Sequence, residues 1–147
     1  MISLYTIGFT KKSAERFFNL IRDNGVKQLV DIRISNSSQL SGFAKGSDLD
    51  FFVKEICHIP YTHITDFAPT KDLLDRWHKK EVTWEQYEQE YRSILKERNI
   101  LKNHSIKKLN GACFLCSEDT PDYCHRRLLA EYIKQHSKEE VTIKHLI

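Results

Sequence analysis

No apolar run in this chain approaches the roughly 20 residues that a membrane-spanning helix needs, so neither such a helix nor a membrane partner is expected. Nor is there an internal repeat, a low-complexity tract or a linker, and residues 1–147 read as a single domain. The first residues, Met1-Ile2-Ser3-Leu4-Tyr5, lack the charged and apolar regions of a signal peptide, so the expected location is cytoplasmic. Charge of one sign is also scarce. A net charge of +3 and a pI near 8.6 permit an anionic partner without requiring one. The cysteines number four, Cys57, Cys113, Cys116 and Cys124, and in a reducing cytosol they are expected as free thiols.

What is present is ordinary globular composition, 40% hydrophobic and 29% charged, in a pattern of alternating strands and helices. Leu4–Phe9 is an apolar β-forming run ending near Gly8. Phe17, Leu20 and Ile21 then recur at helical spacing between Ser13 and Asn24, with Gly25 at the C-cap. Gln28–Arg33 predicts a second strand, Leu49, Phe52, Val53 and Ile56 a helix, and Tyr61–Ile64 a short third strand. Thr83 with Gln86 forms a capping-box pattern ahead of the stripe Trp84, Tyr87, Tyr91, Ile94, Leu95 and Leu101. Ala112–Leu115 predicts a fourth strand. Thr120-Pro121 predicts the start of a helix whose buried face is Leu128, Leu129, Tyr132 and Ile133. Val141–Ile147 reads as the last strand. The expected fold is three-layer α/β, a mainly parallel sheet with helices on both faces.

In such sheets ligands bind at the carboxyl ends of the strands. Gly8 and Thr10, Asp31 and Arg33, and Cys116 and Glu118 are thereby gathered at one edge. Asp31 and Arg33, two apart on a strand, point the same way. They read either as a structural ion pair or as an anion grip. In the second case Arg33 holds a phosphate or carboxylate, and Asp31 orients it or works as an acid or base. Asn36 and Ser38, in the polar loop that follows, add donors to the ligand side of the site.

The segment from Cys113 to Arg127 is dense in reactive groups. Cys113 and Cys116 have a zinc-like gap, yet residues three apart on a strand face opposite ways, which makes Cys113 a core residue. Cys116, Cys124 and His125 form a looser metal set without an evident fourth ligand. No metal site is assigned, and no cofactor is expected. Cys116 or Cys124 is a candidate nucleophile with His125 as its base, and Glu118 a candidate acid or base. Arg126 and Arg127, near a helix start, are candidate anion ligands. Between Arg92 and Lys108 six cations face one acid, Glu97, which reads as a solvated face or a nucleic-acid contact.

Taken together, Tyr5-Thr-Ile-Gly-Phe-Thr10, Leu29-Val-Asp-Ile-Arg33, Ser38-Gln-Leu-Ser-Gly-Phe-Ala44, Ala68-Pro-Thr-Lys71, Cys116-Ser-Glu118 and Cys124-His-Arg-Arg127 resemble the family called domain of unknown function 488. The resemblance runs nearly the whole length. It implies a small α/β fold and names no reaction. Many members carry His and Ser after the glycine, where this chain has Phe9 and Thr10, so no catalytic role is expected of Phe9. The leading expectation is an enzyme acting on a nucleotide, nucleoside or nucleic-acid component. The alternative is a non-catalytic nucleic-acid-binding or regulatory module.

Overall fold

Five strands, Ile2–Gly8 (β1), Gln28–Asp31 (β2), Tyr61–His63 (β3), Ala112–Cys116 (β4) and Val141–Leu146 (β5), run parallel in the order β3-β2-β4-β1-β5. These come from a computed structural model, which describes residues 1–37 and 42–147. β4 holds the centre, and all five of its residues are buried, as a strand covered on both faces requires. Its register sets Cys116 beside Gly8 of β1 and Leu115 beside Asp31 of β2. Three strand ends that carry polar or special residues therefore meet at one edge.

Among the described residues six α-helices cover the sheet: Ala14–Asp23 (α1), Gly46–Phe52 (α2), Lys71–His78 (α3), Trp84–Glu97 (α4), Ile100–Asn103 (α5) and His125–His136 (α6). The strand side chains alternate between two apolar cores, which is the period-two pattern of a pleated sheet. Ile7, Leu29, Cys113 and Leu115 pack with Phe17, Phe18 and Ile21 of α1 and Leu49 of α2. Leu4, Val30, Ala112 and Phe114 pack on the other face with Leu73, Tyr87, Tyr91, Leu95, Leu128 and Leu129 of α3, α4 and α6. The three-layer expectation holds, and the sheet is parallel throughout.

Local chemistry sets the helix ends. Ser13, Thr70 and Thr83 each cap a helix by accepting from the backbone N–H three residues on. At Thr83 the reciprocal bond is made as well, Gln86 accepting from the Thr83 N–H at 2.9 Å. One boundary differs from the sequence expectation. The last helix begins at His125 with Cys124 as N-cap, not at Pro121. The reason is non-local to the turn. The carbonyls of Pro121 and Asp122, which a helix begun at Pro121 would bond internally, are taken by the Arg127 guanidinium, and Arg126 holds the carbonyls of residues 118 and 119 just before them.

Candidate active site

Buried polar groups need partners, and those of Asp31 are complete. One carboxylate oxygen accepts from the Arg33 backbone N–H at 3.1 Å and from Nε at 2.9 Å. The other accepts from Arg33 Nη2 at 2.7 Å and from the Tyr61 hydroxyl at 2.6 Å. Asp31 is fully buried and its oxygens face these donors. It fixes Arg33 and does not line the cavity described below. Burial opposes the charge of Arg33, and the hydrogen bonds and charge of Asp31 outweigh it, leaving the guanidinium pKa above its ordinary value. Burial also pushes the Tyr61 hydroxyl up, with Asp31 adding to the shift.

Arg33 has three further contacts that define its place. Nη2 also donates to the Ala44 carbonyl at 2.8 Å, and the Arg33 carbonyl accepts from His63 Nε2 at 2.6 Å. The guanidinium lies over the Phe9 ring, 5.2 Å from its centroid, a cation–π contact. Nη1, though buried, has no hydrogen-bond partner among the described residues.

Cys116 ends β4 and His125 opens α6, and the fold closes eight residues of loop between them. His125 Nε2 lies 2.9 Å from the Ile32 carbonyl, which can only accept, so this nitrogen carries the proton. In the neutral ring Nδ1 then holds a lone pair, and Cys116 Sγ lies alongside the ring, 3.5 Å from Nδ1 and 3.9 Å from Nε2. Tyr91 meets the imidazole edge-on, with centroids 5.6 Å apart, and is itself anchored by donating to the Phe67 carbonyl at 2.6 Å. The second thiol, Cys124, stands beside the pair. The hydrogen bond from Cys124 lowers the Cys116 pKa, with the charge of Arg126 and the Ser117 N–H adding, and together they outweigh burial. The Cys124 thiol is held well above its ordinary value by burial and by the same hydrogen bond. Cys113 faces the opposite core, where burial raises its pKa too.

These groups open on a cavity of about 550 Å³, a size suited to a small ligand. Phe9, Arg33, Cys116, Glu118, Cys124 and His125 line its floor and side, with Ser35 and Ser117. α3 contributes Lys71, Leu74, Asp75, Trp77 and His78, and Tyr87 and Tyr123 complete the wall. Trp84 stacks on Tyr87 from behind, with centroids 4.8 Å apart.

The remaining expected ligand residues occupy different places. Gly8 is required by the loop above it: a Cβ there would stand 1.5 Å from the Glu118 carbonyl oxygen. Arg126, wholly buried, donates to the carbonyls of Glu118 at 2.6 Å and Asp119 at 3.2 Å. Arg127 binds the carbonyls of Pro121 and Asp122 and pairs with Glu131. Both arginines strap the loop and neither lines the cavity: Arg126 Nη1 and Nη2 and Arg127 Nε and Nη2 hold loop carbonyls, Arg127 Nη1 pairs with Glu131, and Arg126 Nε is buried without a partner among the described residues. Thr10 donates its backbone N–H to Ser117 in the same loop, and Asn36 donates to Tyr61 at 3.0 Å. Ser38 lies outside the described residues.

Sequence reasoning missed four contributors: Tyr61 and His63, which hold Asp31 and Arg33, and Trp77 and His78 on α3. It also missed Lys12, whose buried amine pairs with Asp119 at 3.0 Å and ties the loop from a second side. The Thr70 cap was the available signal for α3; nothing local marks the others. For metal binding, Cys116, Cys124 and His125 each offer an atom within 4.8 Å of the others, a three-donor set for a thiophilic cation.

Comparison with curated proteins and with solved structures finds no match. The family model described as "domain of unknown function DUF488" matches residues 13–133 of the 147. That span holds the Asp31–Arg33 pair and the whole Cys116–Arg127 segment, and the chain belongs to this family.

Proposed function

We propose that this protein is a small enzyme acting on a nucleotide, a nucleoside or another nucleic-acid component, with Cys116 as its nucleophile. The observation that carries the reading is the His125 imidazole held between the Ile32 carbonyl and Cys116 Sγ. A nucleophile within reach of a base, and a base oriented by a third group, is the general pattern of covalent catalysis. Cys116 attacks an electrophilic centre of the ligand, and its proton, held on His125 Nδ1, passes to the leaving group. Glu118, at the same wall, serves as a second acid or base for the water that releases the product.

Two features support the ligand class. The unpartnered Nη1 of Arg33 is a buried cationic donor that an anionic group would satisfy. Trp77 and Tyr123 put aromatic surface on the cavity wall, which suits a planar heterocycle. The alternative, a nucleic-acid-binding face along Arg92–Lys108, has less support. Arg92 pairs with Glu88 and Glu131, Arg98 donates to the carbonyls of Thr65, Asp66 and Ala68, and Lys107 pairs with Glu139.

A thermal-shift screen of nucleosides, nucleotides, short oligonucleotides and simple anions tests the reading. A ligand at a hundredfold excess over Kd adds about 2.7 kcal/mol, a rise of roughly 5–10 °C for this length. The expected hit is a mononucleotide or nucleoside whose shift is lost in Trp77→Ala and whose turnover is lost in Cys116→Ser. A response confined to long nucleic acids, unchanged in both variants and weakened by salt, would instead favour the binding module.

A further inference from the structure

Two thiols, those of Cys116 and Cys124, line the cavity within 4.8 Å of one another. Resting on the reading of Cys116 as the reactive thiol, we propose that Cys116 and Cys124 form a reversible intramolecular disulfide when a hydroperoxide enters the cavity. Such a bond switches the site off.

The geometry carries this in three parts. Donor atoms of Cys116, Cys124 and His125 lie within 4.8 Å of one another, so the two sulfurs meet by side-chain rotation. Both cysteines line the cavity, which gives a small oxidant its approach although each is otherwise buried. Cys124 is the N-cap of α6 and its side chain makes no capping bond, so rotating it leaves the helix start intact. Cys57 and Cys113, the other two thiols, are not among the lining residues.

The chemistry balances with the hydroperoxide as oxidant. The Cys116 thiolate attacks the terminal peroxide oxygen; the O–O bond breaks and the alcohol leaves with a proton, giving a sulfenic acid. Cys124 gives its proton to His125 and attacks Cys116 Sγ. The S–S bond forms, the S–O bond breaks, and hydroxide departs as water with that proton. The sum is two thiols and one hydroperoxide giving one disulfide, one alcohol and one water. A reactive thiol beside a second, resolving cysteine is the arrangement redox-sensing sites use.

The test treats the full chain with hydrogen peroxide and counts thiols after denaturation, with peptide mass spectrometry to locate the bridge. The count is expected to fall from four to two, with a Cys116–Cys124 cross-link in monomeric protein that dithiothreitol reverses. In Cys124→Ser, Cys116 is expected to stop at a sulfenic acid trapped by dimedone, and in Cys116→Ser no bridge forms. Four surviving thiols in the parent, or a bridge through Cys57 or Cys113, would overturn the proposal. Iodoacetamide reads the nucleophile separately. Fast alkylation of Cys116 with all four thiols surviving peroxide removes the switch and leaves the nucleophile; a Cys116 that neither alkylates nor oxidises removes both.

Discussion

His125 Nδ1 stands 3.5 Å from Cys116 Sγ while the opposite ring nitrogen donates to the Ile32 carbonyl at 2.9 Å. The two contacts come from three separate elements: the end of β4, the start of α6 and the residue just after β2. A single rotamer of His125 satisfies both, and Tyr91 packs against the ring to hold it. The tautomer is thus fixed by the Ile32 backbone carbonyl. Arg33, anchored on Asp31, reaches the same cavity from the neighbouring strand.

The Asp31–Arg33 pair is a buried ion pair, and removing one partner leaves the other charge uncompensated. Asp31→Ala is expected to cost about 3–5 kcal/mol in urea unfolding. The double variant Asp31→Ala, Arg33→Met should recover much of that, because no unpaired charge remains. A double variant no more stable than the single one would show that the pair's geometry, not its charge balance, sets the cost.

Gly8 is the second point of sensitivity. A methyl group there meets the backbone of Glu118, which Arg126 holds in place, so relief requires moving the loop off the sheet edge. Gly8→Ala should destabilise by more than about 3 kcal/mol. It should also slow Cys116 alkylation in whatever folded protein remains. Gly42→Ala, where a Cβ meets nothing within 4 Å, is the matched control and should leave unfolding unchanged.

His145 on β5 supplies a pH dependence. Its Nδ1 lies 2.6 Å from the fully buried Thr6 hydroxyl, and burial, aided by the charge of Arg126, holds its pKa below the ordinary histidine value. Arg127 works the same way, while Glu131 and Asp122 oppose it. A histidine with a lowered folded pKa favours the unfolded state once the unfolded chain takes up its proton. This contribution is therefore intact above about pH 6.5 and is lost as pH falls from there through the folded value. Urea midpoints measured from pH 7.5 to pH 5 should fall more steeply in the parent than in His145→Gln. Equal slopes would contradict the assignment.

Much of this was legible where the signal is local. The Thr83–Gln86 capping box, the period-two face shared by Asp31 and Arg33, and the opposite facing of Cys113 and Cys116 each depend on a few adjacent residues. The strand-end rule was enough to bring Cys116 to Asp31 and Arg33. The roles of Arg126 and Arg127 were not legible, because near a helix start a guanidinium suits an anion or an orphan carbonyl equally well. Which one it meets depends on how the 117–123 loop crosses Gly8. Trp77 and His78 read as ordinary residues until α3 lays them along the cavity, and Tyr61 finds Asp31 only through the β2–β3 register.

The central claim is that Cys116 is an activated nucleophile with His125 as its base. The pH dependence of Cys116 alkylation by iodoacetamide, followed on the tryptic peptide, tests it most directly. A thiol with a lowered pKa forms thiolate at lower pH, so the rate should reach its plateau below the ordinary thiol value of about 8.5. Cys124→Ala should move the midpoint upward, and His125→Gln should slow the reaction at neutral pH by about tenfold or more. A Cys116 that reacts no faster than Cys57 at every pH, and at the same rate in His125→Gln, would contradict the account.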